Sequence, residues 1–287
     1  MMRKAFGIAT EVVVPPELEI DAGSTAGILV DFLRRETRRA GFSRAIVGLS
    51  GGVDSALSAA LAARALGAGN LLCVLLPYRT SHPSSLRDAR RVARRLGAQA
   101  TTIDISPAVD AYFRRFRGAL RVRRGNKMAR ERMSILYDLS SRDRRLVLGT
   151  SNKTELLLGY GTLHGDMASA LNPIGDLYKT QVRQLALHLG VPEEIVWKRP
   201  TADLWAGQSD EDELGYRYVE IDRLLVRLVE LRETPEQAVA SGFRPTMVRD
   251  IRRRMIHSQF KRRPPVIAKL TSRAVNIDFR YPRDWGT

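Results

Sequence analysis

Cysteine is almost missing from this chain: Cys73 stands alone among 287 residues. One thiol excludes an intramolecular disulfide, a CxxC redox pair and a cysteine-ligated zinc site. Cys73 lies within Leu71-Leu72-Cys73-Val74-Leu75-Leu76, an apolar run that reads as a buried strand, so a small core residue is its expected role. Long apolar stretches are lacking as well. None approaches the roughly 20 residues needed to cross a bilayer, and Met1-Met2-Arg3-Lys4-Ala5-Phe6 does not lead into an apolar segment of signal-peptide length. A cytoplasmic protein with no membrane partner is expected. Histidine is scarce, and His82 and His188 show no spacing that suggests metal binding or nucleophilic catalysis. Negative charge is short too. Lys and Arg number 47 against 31 Asp and Glu, a net charge of +16, which commonly signals nucleic acid or polyphosphate. However, Arg87, Arg90, Arg91, Arg94 and Arg95 surround a helical apolar stripe of Leu86, Ala89, Val92 and Leu96, as a solvated helix face does. The basic clusters are scattered and carry few aromatics, so no dedicated nucleic-acid partner is expected.

What is present suffices for a sizeable core, since 44% of the residues are hydrophobic. Ile28, Leu29, Phe32 and Leu33 share one face of a helix over 28–39. Strand patterns at 45–49, 71–76, 100–105 and 146–150 then alternate with helical ones at 54–66, 86–96 and 128–139. Near-continuous apolar strands separated by helices predict an α/β fold, a doubly wound parallel sheet covered on both faces. Beyond residue 179 the pattern turns helical, at 179–189, 213–232, 235–241 and 245–257. Residues 264–287, with Pro264, Pro265 and Pro282, read as an irregular C-terminal tail. Without repeats or low-complexity linkers, one domain over 1–287 with a helical C-terminal part is the simplest organisation.

Between the first strand and the Ala-rich helix after it stand Gly48, Leu49, Ser50, Gly51, Gly52, Val53, Asp54 and Ser55. A glycine-rich turn opening a helix suits phosphate, because the backbone can approach an anion and the first amides of the helix point at it. The Walker pattern, which ends in Gly-Lys-Ser/Thr, is absent. Ser-Gly-Gly-Val-Asp-Ser resembles instead the pyrophosphate loop of enzymes that cleave ATP between its α and β phosphates.

Farther along come Gly125-Asn126-Lys127-Met128-Ala129-Arg130-Glu131-Arg132, then Gly149-Thr150-Ser151-Asn152-Lys153-Thr154-Glu155, Gly165-Asp166, Tyr178-Lys179-Thr180 and Pro200-Thr201-Ala202-Asp203-Leu204. In this order and spacing the series resembles the NAD synthetase family from about residue 28 to the end. The resemblance implies a Rossmann-like fold of the adenine-nucleotide α-hydrolase type and an ammonia-dependent ligase. Such an enzyme adenylates the nicotinate carboxylate of deamido-NAD with ATP, releases pyrophosphate, and lets ammonia displace AMP. It further implies ATP binding by residues 48–55 with Thr150, Lys179 and Thr201, and Mg²⁺ on Asp54 and Glu155. Asp54, Lys179 and Thr201 would act in catalysis, with Lys179 a mobile cation near the phosphates. Deamido-NAD would be met by Asn126, Arg130, Arg132, Asp166 and Lys261. The family also implies a homodimer. A separate glutaminase subunit is compatible with the reading as a source of ammonia.

Two departures stand out. Leu163 replaces a substrate-contacting Lys common in relatives, beside His164, and near the C-terminus a His-Lys pair becomes Phe260-Lys261, with His257 displaced upstream. The polar stretch 206–213 is composed like a mobile loop, next to Thr201 and Asp203 in a segment resembling the family's lid. Two other readings use the same loop: a tRNA-modifying enzyme that adenylates a base, and a nucleotide-binding regulator with a decayed site. A chain with one thiol disfavours a sulfur relay, and Asp54, Glu155 and Lys179 together disfavour a decayed site.

Overall fold

The computed structural model describes residues 14–116, 118–205 and 207–275. From its N-terminal side the chain forms α1 (Ala22–Arg39), β1 (Ala45–Gly48), α2 (Val53–Leu66), β2 (Leu71–Leu75), α3 (Pro83–Leu96) and β3 (Gln99–Thr102). It continues through α4 (Ser106–Phe113), α5 (Arg121–Asp143), β4 (Leu146–Leu148) and α6 (Lys153–Leu158). The rest is helical: α7 (Lys179–His188), α8 (Glu193–Val196), α9 (Asp210–Leu214), α10 (Tyr218–Leu225), α11 (Pro235–Ala240) and α12 (Pro245–His257).

The four strands are parallel in the order β3-β2-β1-β4, with Ala45 paired to both Leu71 and Leu146. Alternation explains the apolar character of β1, β2 and β4, whereas β3, at the sheet edge, is Gln99-Ala100-Thr101-Thr102 and mostly exposed. Ala45, Val47, Leu71, Cys73, Leu75 and Leu148 pack on one face against α1, α2 and α7, whereas Ile46, Leu72, Val74 and Val147 pack on the other against α4 and α5. With both faces of those three strands covered, nearly every position profits from an apolar side chain, about 1.5–3 kcal/mol for each one fully buried. A separate core in the helical C-terminal part joins α6 to α10, α11 and α12 through Leu158, Tyr218, Ile221, Leu224, Ala238, Met247 and Ile251. The order reverses at β1: the chain steps outward to β2 and β3, then returns to β4 on the other side. Crevices at such a reversal, outside the carboxyl ends of the strands, are where ligands bind. The loops after β1 and β4 meet there.

The expected doubly wound sheet is present, and the differences from the sequence reading are local. The third strand stops at Thr102 because the Asp104 carboxylate accepts the backbone N–H and hydroxyl of Ser106 (2.8 and 2.6 Å), turning the chain into α4, a helix the pattern did not suggest. The expected helix 213–232 is divided, since Gly215 takes a left-handed φ of +80° and ends α9. The first helix starts earlier, at Ala22, where the Asp21 side chain caps it by accepting Ser24 N–H at 2.9 Å. Residues 264–275 of the anticipated tail form no helix, and 276–287 lie outside the described residues.

Candidate active site

The glycine-rich turn is held by its own serines. Ser55 Oγ donates to the Gly52 carbonyl (3.0 Å) and accepts the Ser50 N–H (3.2 Å), while Ser50 Oγ lies 3.0 Å from Ser55 Oγ and accepts the Gly52 N–H. Gly52 opens α2 without a side-chain cap, so the first amides of that helix face the crevice as an anion site requires. At Gly51, φ is +85° and an added Cβ would collide with the Ser85 carbonyl at the start of α3. Only glycine fits both conditions.

Across the crevice, α6 begins with a capping box. Asn152 Oδ1 accepts the Glu155 N–H at 3.0 Å, and Glu155 Oε2 accepts the Asn152 N–H at 3.3 Å. The fully buried Asn152 also donates its amide to Asp54 Oδ1 at 2.8 Å, bridging the two loops. Asp54 and Glu155 turn their remaining oxygens on one cation: Lys179 Nζ lies 2.6 Å from Asp54 Oδ2 and 3.2 Å from Glu155 Oε1. The ring of Tyr218 lies 5.0 Å from the same ammonium. A third acid, Asp210, accepts the phenols of Tyr160 (3.1 Å) and Tyr218 (3.3 Å) nearby.

Burial and mutual charge set the protonation here. Burial pushes the Glu155 carboxyl up to about 8; Lys179 opposes this, while the Asp54 and Asp210 charges add to it. Burial alone would lower Lys179, but Asp54 and Glu155 outweigh it and hold the ammonium charged, above the usual lysine range. Asp210 is raised, again chiefly by burial.

These groups line a cavity of about 490 Å³, within the usual range for small-molecule sites. Residues 48–55, Thr150, Glu155, Lys179 and Thr201 all line it, as do Asn126, Arg132, Asp166 and Lys261. Arg130 does not: it is exposed and donates Nε to the Leu163 carbonyl at 3.1 Å. Arg132 is held by a 2.9 Å bond to the Leu76 carbonyl, and Asp166 by the Thr162 N–H at 2.6 Å. The Lys261 ammonium is committed to the carbonyls of Gly159 and Gly161, 2.8 Å from each. Over one side lies the segment 200–205. Asp203, in a left-handed conformation (φ +51°), accepts the His82 N–H, and Leu204 lies where a Cβ on Gly125 of α5 would need to be, 2.8 Å away. A glycine inside a helix costs about 1 kcal/mol relative to alanine; here it admits this segment. Of the stretch 206–213 expected to be a loop, residues 207–209 lie outside any helix, whereas 210–213 form α9, which starts at the buried Asp210.

With this geometry in view, likeness to known proteins is informative. The family model described as NAD synthase matches residues 26–265. The chain belongs to the NAD synthase family. It is 54% identical to the NH(3)-dependent NAD(+) synthetase of Chlorobaculum parvum, over 94% of this chain and 98% of that protein. The NH3-dependent NAD synthetase structure from Campylobacter jejuni superposes with a TM-score of 0.74 at 33% identity, covering 88% of this chain and all of that one. The NMN synthetase from Francisella tularensis gives 0.77 at 31% identity, over 87% and 99%.

Asn152, Tyr160, Asp210 and Asp222 were not singled out from the sequence. Asn152 left a readable signal, an Asn three residues before a Glu at a helix start. The other three gain their roles from distant elements and leave none.

Proposed function

We propose that this chain is a carbon–nitrogen ligase that converts deamido-NAD to NAD with ammonia, cleaving ATP to AMP and pyrophosphate. The observation that carries the reading is the convergence of Asp54, Glu155 and Lys179 at the mouth of the residue 48–55 loop, in a chain 54% identical to an NH(3)-dependent NAD(+) synthetase. In this reading the ATP phosphates lie on the loop amides and the start of α2, and the nicotinate carboxylate attacks the α-phosphorus. The bond to the pyrophosphate oxygen breaks and an acyl adenylate forms. Ammonia then adds to the acyl carbon, AMP leaves with the C–O bond electrons, the added nitrogen releases one proton, and the amide remains. Lys179, kept charged chiefly by Asp54, neutralises the phosphates as negative charge moves onto the leaving group. The segment 200–205, with Thr201, shields the adenylate from water, which would hydrolyse it. Asn126, Arg132 and Asp166 border the part of the cavity assigned to deamido-NAD, with Lys261 at its wall.

Mg²⁺ fits Asp54 and Glu155. Both are hard oxygen donors, and both already converge on one cation, the Lys179 ammonium. The described residues contain no cluster of three or more His, Cys, Asp or Glu suited to a metal, but Mg²⁺ held against phosphate and water needs only one or two carboxylates. Bound there, it would supply further neutralisation of the phosphates. A homodimer belongs to the same reading. Tyr112, Phe116, Leu120, Val122 and Tyr137 are exposed large hydrophobics on and beside α4 and α5, and Val122 also borders the cavity. The lone, buried Cys73 suits a reducing cytoplasm.

The deciding experiment incubates the protein with ATP, Mg²⁺ and ammonium, and with deamido-NAD or nicotinate mononucleotide as alternative acceptors. NAD and AMP in equal amounts are expected with deamido-NAD. Preferential turnover of the mononucleotide would replace the acceptor, and AMP formation with neither would overturn the assignment.

A further inference from the structure

We infer that Asp222 is a positioning residue for this reaction: it ties the starts of α6 and α7 together so that Glu155 and Lys179 converge on Asp54. Asp222 lies on α10, in the helical C-terminal part, and is fully buried. Its Oδ1 accepts the Thr154 hydroxyl at 2.6 Å; its Oδ2 accepts the Thr180 backbone N–H at 2.8 Å and the Thr180 hydroxyl at 2.7 Å. Thr154 Oγ1, having donated its proton to Asp222, accepts the backbone N–H of Lys179 at 3.0 Å. Thr154 immediately precedes Glu155, and Thr180 immediately follows Lys179. Both residues that face the reaction are therefore held through a neighbouring threonine, and both threonines end on one carboxylate.

The bonds also replace an ordinary helix cap. The first amides of a helix need acceptors from outside it, normally a short polar side chain just before the first turn. Tyr178 stands there in α7, and its phenol donates to Glu230 at 2.8 Å instead. The Lys179 and Thr180 amides are served by Thr154 and Asp222, 25 and 42 residues away. A local Ser or Thr would cap α7 without burying a carboxylate, which is costly unless fully hydrogen-bonded. The remote cap does what a local one cannot: it fixes α7 to α6. Ile221, Leu224 and Leu225, all fully buried, anchor α10 beside it, so the clamp is set by the C-terminal core rather than by the nucleotide sheet.

The test uses Asp222→Asn, whose amide nitrogen cannot accept the Thr154 hydroxyl and would compete with the Lys179 N–H for that oxygen. The inference rests on the ligase reading. Wild-type turnover of deamido-NAD checks that reading separately, and positioning is judged only from variant-to-wild-type ratios. Since about 1 Å of misplacement can cost 100-fold in rate, kcat should fall about 10- to 100-fold while KM for ATP changes less than about threefold. In a Lys179→Met background, followed through its residual AMP release, Asp222→Asn should cost several-fold less than in wild type, because the part of the loss that runs through Lys179 is already gone and only the part through Glu155 remains. Wild-type kcat in folded Asp222→Asn, or the same fold loss in both backgrounds, overturns the inference. If Asp222→Asn does not fold, the Thr154 pair decides. Thr154→Ser should keep most of the rate and Thr154→Val should lose it, and equal rates in the two would overturn the clamp.

Discussion

Lys179 Nζ lies 2.6 Å from Asp54 Oδ2, although 125 residues separate the two along the chain. Asp54 sits in the first turn of α2, Lys179 opens α7, and the contact closes the gap between the β1 and β4 sides of the sheet. Cations are unfavourable at a helix start unless negative charge faces them. Asp54 and Glu155 supply it, and the same pair suits an ATP-bound metal.

Removing either carboxylate should therefore stop adenylation. Asp54→Asn and Glu155→Gln are each expected to lower pyrophosphate release about 100- to 1,000-fold at saturating ATP and Mg²⁺, as loss of a preorganised electrostatic group does. Circular dichroism should report an unchanged fold. Near-native release from both variants would remove them from the site.

Glu155→Gln should also alter the pH dependence of stability, without ATP or Mg²⁺. Burial raises the folded-state carboxyl from an ordinary 4.5 to about 8, so the folded chain binds that proton more tightly than the unfolded one. The stability this gives is complete below about pH 4.5 and is lost as pH climbs towards 8. The glutamine variant has no such loss. Its thermal midpoint should match wild type at the acid end and exceed it increasingly up to pH 8. A gap that is constant with pH would contradict the raised carboxyl.

Gly51→Ala should damage the loop itself. The added Cβ meets the Ser85 backbone, and a φ of +85° disfavours any side chain. Strain of this kind costs about 1–3 kcal/mol, and relief by moving the loop away from α3 would weaken ATP binding. Differential scanning fluorimetry and ATP titration together test this; an unchanged midpoint and unchanged affinity would show that the loop has room.

Cys73 should take no part in nitrogen transfer. Burial pushes its thiol from 9.0 up to about 12, which keeps it protonated at working pH. A thiol reagent at pH 8 should react with the folded protein only slowly and with the denatured chain at the ordinary rate. Cys73→Ala should leave ammonium-supported NAD formation intact. Glutamine should not replace ammonium in buffer stripped of ammonia. Glutamine-supported synthesis that disappears in Cys73→Ala would show a reactive thiol instead.

Much of this protein was legible in its sequence because the signals were local. Apolar strands alternating with amphipathic helices pointed to a parallel sheet covered on both faces, and a glycine-rich turn before a helix marked a candidate anion site with Asp54 in its first turn. Resemblance of the motifs to those of the NAD synthetase family brought Glu155, Lys179 and Asp166 into the list of site residues before any distance was known. What the tertiary structure decided is how those residues are held. Asn152 bridges Asp54 to α6, Arg130 turns away to a backbone carbonyl while Arg132 stays in the cavity, and Lys261 spends its ammonium on two carbonyls. Asp222 belongs to a helix whose own pattern says only that one face is buried. Its partners, Thr154 and Thr180, lie 68 and 42 residues away. Hydrogen bonds between remote elements leave no periodic trace in a sequence, since each residue satisfies its own local pattern whether or not its distant partner is there.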